Sequence, residues 1–161
     1  MRTERLVMEP IAHAHAAGLV EALAHPEVAA YLEEPDATTV EAMHARIDRI
    51  ATPPAGEWWL NFAMLRDGVV IGRLEATSYG AWAEIAYLVG PAYQRRGYAR
   101  EGVRWLVDHL RGLDVVEVWA AVHPDNARSI ALLEALGFSP ADPMRRPLGS
   151  YDAGDVVYML G

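Results

Sequence analysis

The chain has 161 residues, no Cys, and a formal net charge of -8 from 14 basic and 22 acidic side chains. Without Cys there is no thiol nucleophile, disulfide framework or thiolate zinc site; because every basic residue is Arg, there is also no lysine for a Schiff base or a phosphate-binding loop. The acidic balance argues against binding to phosphate backbones, and a chain of this length closes one core without staples, so residues 1–161 are expected to form one domain.

Leu6 to Met8 is a short apolar stretch halted by Pro10 and reads as an opening strand. Ala16, Val20, Leu23 and Ala24 recur at helical spacing, and Thr38 to Glu41 forms a capping box ahead of Val40, Met43, Ile47 and Ile50. Two helices are therefore expected, the second ended by Pro53, Pro54 and Gly56. Trp58–Leu65 and Val69–Ala76 flank Asp67-Gly68, which predicts a hairpin, and a further strand runs from Ala83 to Val89. After Gly90-Pro91 the period changes. Val103, Leu106, Val107 and Leu110 make one apolar face, and Arg100, Glu101, Arg104 and Asp108 the other. Val115 to Val122 is β-rich, Asp125 or Asn126 can cap a helix carrying Ile130, Leu133 and Leu136, and Gly137 stands where that helix would end. The last strands are expected near Phe138 and from Asp155 to Leu160. The order β-αα-βββ-α-β-α-ββ is a mixed α/β arrangement with no repeat or linker. Residues 1–10 lack the pattern of a secretory signal, and no apolar run approaches the roughly 20 residues of a membrane span. A cytoplasmic protein with neither a membrane nor a nucleic acid as partner is expected.

The stretch Gln94-Arg95-Arg96-Gly97-Tyr98-Ala99 lies between a predicted strand and a helix. Gly97 offers no Cβ to obstruct a ligand, the helix start offers unpaired N–H groups and a positive dipole end, and Arg95 and Arg96 add charge. Those are the parts of a pyrophosphate cradle that needs neither lysine nor metal, although a solvated loop would contain the same residues. A second element follows: Asn126-Ala127-Arg128-Ser129, then Leu136-Gly137-Phe138, at the start and end of the next helix.

Together these two elements resemble the GNAT superfamily of acetyl-CoA-dependent N-acetyltransferases. Thr3-x-Arg5-Leu6, Ile71-Gly72 and Glu84-Ile85-Ala86-Tyr87 extend the similarity over essentially the whole chain, toward the RimJ/RimL-like branch. The resemblance implies a mostly antiparallel mixed sheet flanked by helices, its fourth and fifth strands splayed. It also implies that acetyl-CoA is the acyl donor, with its pantetheine arm bonded to backbone groups of Leu88 and Val89 and its pyrophosphate at residues 94–99. Two departures stand out. Ala86 replaces a small Gly, and Leu133 occupies the position of a tyrosine acid in other branches, which removes that residue from the mechanism.

The implied reaction is direct attack of a primary amine on the thioester in a ternary complex, the acceptor being a protein N-terminus or a small-molecule amine. An alkylammonium of pKa about 10 must first lose a proton. Glu84, on one strand face with Ala86 and Leu88, is one candidate base; His123, directly after the fifth strand, is the other, or it caps the turn before Pro124. Ser129 matches the family's donor to the leaving sulfur, or is simply a first-turn helix serine; Asn126 matches a residue that orients the cofactor arm. A backbone N–H at a fourth-strand bulge is expected to hold the oxyanion. Other features are less specific. His13 and His15 are spaced wrongly for a helical metal pair, no metal is expected, and His25, His44 and His109 read as surface or packing residues. Trp58 and Trp59 predict one ring in the core and one outside, and Glu33, Glu34 and Asp36 make either a cation-attracting or a merely solvated loop. A binding module that keeps the cradle but lacks turnover is the alternative to an enzyme. A homodimer would be the commonest assembly.

Overall fold

The computed structural model describes residues 1–32 and 37–161, so Glu33, Glu34 and Asp36 lie outside the described residues. Its elements are β1 (Val7–Pro10), α1 (Ala16–Leu23), α2 (Pro26–Ala29), α3 (Val40–Ile50), β2 (Trp58–Arg66), β3 (Val69–Ser78), β4 (Trp82–Val89), α4 (Tyr98–Arg111), β5 (Glu117–Val122), α5 (Ala127–Ala135), β6 (Ser139–Pro140) and β7 (Val156–Leu160). Among the described residues, one sheet holds seven strands in the order β1-β2-β3-β4-β5-β7-β6, and β4–β5 is its single parallel pair.

The expected α/β arrangement of strands and helices is present, and its differences from expectation are local. The first helical region contains a third, short helix, α2, which Pro26 opens from its first turn, where a missing N–H costs nothing. The capping box is displaced. Thr39, not Thr38, caps α3 by accepting from Ala42 N at 3.1 Å, so Glu41 falls one position short of closing the box. Neither adjacent Trp of β2 enters the core: Trp58 is exposed, and Trp59 is half-buried with its Nε1 donating to Glu57 at 2.6 Å. The register irregularity lies between Met64 and Leu65 of β2, whereas β4 pairs with β3 without a break, so the expected fourth-strand bulge is absent.

Local chemistry explains the elements that frame the cleft. Asp67 and Gly68 both have positive φ, which closes the β2–β3 hairpin in the hand that matches strand twist. Asn126 Oδ1 accepts from Ser129 N at 3.2 Å at the start of α5. At its end Gly137 takes φ +91°, with Gly137 N donating to Glu134 O and Phe138 N to Leu133 O, each at 3.0 Å. The apolar stripe of α4, including Val103, Leu106 and Leu110, packs on one sheet face together with Leu133 of α5. Leu19, Leu23, Met43 and Ile47 of α1 and α3 cover the other. Leu133, lying in the core, presents nothing to solvent.

Candidate active site

β4 and β5 pair only from Trp82↔Glu117 to Glu84↔Trp119; beyond that point β4 continues to Val89 and β5 to Val122 without pairing to each other. The end of β4 is pinned elsewhere: a Cβ on Gly90 would stand 2.6 Å from the Ala22 carbonyl, so only Gly lets this backbone lie against α1. A cavity of about 660 Å³ fills the gap and reaches from the β4 edge to the start of α4 and the first turns of α5.

The β4 backbone faces are fixed by its neighbours. Gly90 N donates to Ile71 O and Tyr79 N to Trp82 O, which turns the N–H and C=O of Glu84, Ala86 and Leu88 toward β3. Ala81 O accepts from the β5 side, and the residues in phase with it, Ile85, Tyr87 and Val89, therefore turn their backbone groups into the gap. The Val89 carbonyl accepts from Gln94 Nε2 at 3.0 Å. Leu88, expected to offer backbone groups here, instead lines the cavity with its side chain while its backbone belongs to β3, and Tyr87 stands on the open edge.

The loop before α4 has the geometry of an anion cradle. Gly97 is its N-cap at φ +80°, Arg95 also takes positive φ, and the N–H groups of residues 98–100 have no partner inside the helix. Gln94, Arg95, Gly97, Tyr98 and Ala99 line the cavity, as do Arg100 and Arg128, which sequence reasoning did not single out. Arg128 donates to the Gln94 side chain, so Gln94 braces the wall between Val89 and α5. Arg96 is not in the wall; its carbonyl accepts from Arg5 Nη1 at 2.9 Å. Arg5 also grips Glu101, through Nε and Nη2 each at 2.7 Å, and lies 4.7 Å over the buried Tyr98 ring. The N-terminal Thr3-x-Arg5 stretch is thereby the clamp that holds the cradle.

Ser129 and Asn126 line the cavity where α5 begins. Ser129 Oγ lies 2.6 Å from the hydroxyl of Tyr87, a residue that carried no role in the sequence reading. Burial pushes the Tyr87 phenol up to about 12, against the opposing hydrogen bond from Ser129. His123 lines the cavity and is half-exposed at the end of β5; its Nδ1 accepts from Asp125 N at 3.2 Å and its ring leans on Tyr31.

Glu84 is buried at the last paired position of the β4–β5 ladder. Its Oε1 accepts from Gly149 N at 3.1 Å, and its Oε2 from Ser150 N at 3.4 Å and Ser150 Oγ at 3.2 Å. Burial raises its pKa, the Ser150 and Gly149 hydrogen bonds oppose that rise, and the Glu57 charge adds to it. Glu84 does not itself line the cavity; Ser150 does. The contact crosses the 66 residues between strand and loop, which is why periodicity gave no hint of it.

A family profile described as "Acetyltransferase (GNAT) domain" matches residues 5–139. The chain is 36% identical over 93 residues to the ribosomal-protein-bS18-alanine N-acetyltransferase of Escherichia coli, a match spanning 53% of this chain and 59% of that enzyme. Among solved structures, RimJ of Mycobacterium smegmatis in complex with CoA-disulfide superposes with a TM-score of 0.81 at 19% identity, covering 96% of this chain and 81% of that one. A GNAT-family acetyltransferase from Bacillus anthracis superposes with a TM-score of 0.80 at 19% identity, covering 99% and 96%. At that identity the two likenesses speak to the fold.

Proposed function

The chain belongs to the GNAT acetyltransferase family, and from that premise we propose that it transfers an acetyl group from acetyl-CoA to the α-amine of a protein or peptide N-terminus. The observation that carries this reading is the continuity of one cavity from the unpaired β4 edge to the left-handed Gly97 cradle. When bound there, acetyl-CoA supplies an acetyl thioester and a thiolate leaving group. The N–H groups of residues 98–100 at the helix start, with Arg95, Arg100 and Arg128 in the cavity wall, fit a pyrophosphate in charge. The gap-facing backbone groups of Tyr87 and Val89 fit an amide-bearing arm, and either N–H can stabilise the oxyanion. Ser129 is assigned as the hydroxyl that donates to the sulfur, and Asn126 as the residue that sets Ser129 by capping its turn.

Glu84 is assigned as the base. Its raised pKa keeps it receptive to a proton, and Ser150, bonded to Glu84 and open to the cavity, relays the ammonium proton to it. His123 also lines the cavity, but it is assigned to the turn, since its Nδ1 is occupied by Asp125 N–H. The acceptor class draws on the bS18-alanine relative. The test is intact-mass analysis of peptides that begin with alanine, incubated with acetyl-CoA and the protein. One added acetyl on the free N-terminus, and none on an N-terminally blocked copy, is expected. Acetylation confined to small polyamines would overturn the acceptor assignment.

A further inference from the structure

The Tyr87–Ser129 pair joins β4 to α5 across the gap in which β4 and β5 no longer pair, and both residues line the cavity. Two hydroxyls 2.6 Å apart share one hydrogen bond, and either can be its donor. Their surroundings separate the two arrangements. If Ser129 donates, its proton is spent on Tyr87, and the phenol's other bond among the described residues is a long one, to the Ser129 carbonyl at the outer limit of 3.5 Å. If Tyr87 donates, Ser129 Oγ accepts that bond and the serine proton is free to point into the cleft.

The ring is not loose. Tyr87 pairs with Leu74 in the unbroken β3–β4 register and packs against the core, while Asn126 fixes the backbone of the turn that carries Ser129. We propose that Tyr87 is a positioning residue, donating to Ser129 Oγ and thereby turning the Ser129 hydroxyl proton toward the sulfur of a CoA thioester or thiolate in the gap. This rests on the CoA-dependent reading above. No proton leaves Tyr87: burial holds its phenol protonated across the working pH range, so it stays a standing donor. A polarised chain of two hydroxyls gives a stronger donor at its free end than one serine alone.

The test uses Tyr87→Phe, Ser129→Ala and the double variant, with CoA and desulfo-CoA titrated by calorimetry below and above the thiol's ordinary pKa of about 8.5. Wild type is expected to bind CoA more tightly, relative to desulfo-CoA, once the thiol ionises. Tyr87→Phe should cut that advantage about fivefold to tenfold, the scale of one lost hydrogen bond, with desulfo-CoA affinity unchanged. In turnover, Tyr87→Phe should lower kcat by a similar factor at constant KM and add nothing in the Ser129→Ala background. An undiminished thiolate advantage, or an equal loss with desulfo-CoA, would overturn the proposal and leave Tyr87 as a brace. Absence of CoA binding in wild type would overturn the CoA reading and this inference with it. Binding without turnover would overturn only the transfer reading, and the calorimetric comparison would still decide the role of Tyr87.

Discussion

Glu84 takes three hydrogen bonds from Gly149 and Ser150, yet its pKa is still raised from its ordinary value because burial outweighs them. A base with a raised pKa must be deprotonated to act, so kcat/KM should climb with pH through that value. Glu84→Gln should flatten the climb and reduce kcat about a hundredfold, checked by a pH–rate profile. The linkage sign is opposite for stability. A carboxyl whose folded pKa is raised contributes stability that is fully present below its unfolded value of about 4.3 and is lost as pH rises through the folded value. Melting temperatures measured from acid to neutral pH should show Glu84→Gln lacking that decline. At Gly97, the left-handed φ of +80° and the cradle both demand the absence of a side chain. Gly97→Trp should abolish measurable CoA binding by calorimetry while the thermal transition survives; undiminished affinity would place the pyrophosphate elsewhere.

At the level of elements, the clamp between the N-terminal segment and α4 is the feature with the clearest energetic signature. Burial raises the Glu101 pKa, but the Thr3 hydroxyl, the Arg5 N–H and the Arg5 guanidinium together outweigh it and hold the carboxyl below its ordinary value. Its stabilisation is therefore present above the unfolded pKa and lost as pH falls through the folded one. Arg5→Ala should weaken CoA binding about tenfold, through the freed Arg96 carbonyl and cradle loop, and should make acid unfolding less steep. Elements closed by neighbouring residues were legible in the sequence: the Asp67-Gly68 hairpin, the Asn126 cap and the Gly137 terminus each rest on residues at most a few positions apart. The clamp, the Gln94–Arg128 brace, the Tyr87–Ser129 pair and the Ser150–Glu84 contact were not, because they join residues 96, 34, 42 and 66 positions apart. Their distances depend on how the sheet assembles, and no period in the chain records them. The Thr39 cap and the unbroken β3–β4 register mark the same limit at finer scale, where a shift of one residue alters which group bonds which.

Across the molecule, the sheet is covered by α4 and α5 on one face and by α1 and α3 on the other, which leaves the β4–β5 gap as the opening between two packed layers. The helix that carries the cradle is also the backbone of the larger core: Leu106 of α4 is fully buried, and Leu106→Ala should cost about 2–5 kcal/mol by denaturant unfolding, without changing which ligand binds. The measurement that tests the account most directly is release of free thiol from acetyl-CoA, followed with a colorimetric disulfide reagent across N-terminal peptides, amino acids, polyamines and aminoglycosides. With no Cys in the chain the protein adds no background thiol. Thiol release is expected to depend on the amine and to be fastest with peptides carrying a free N-terminus. Tight CoA binding with no amine-dependent release from any acceptor would contradict this and make the protein a CoA-binding module.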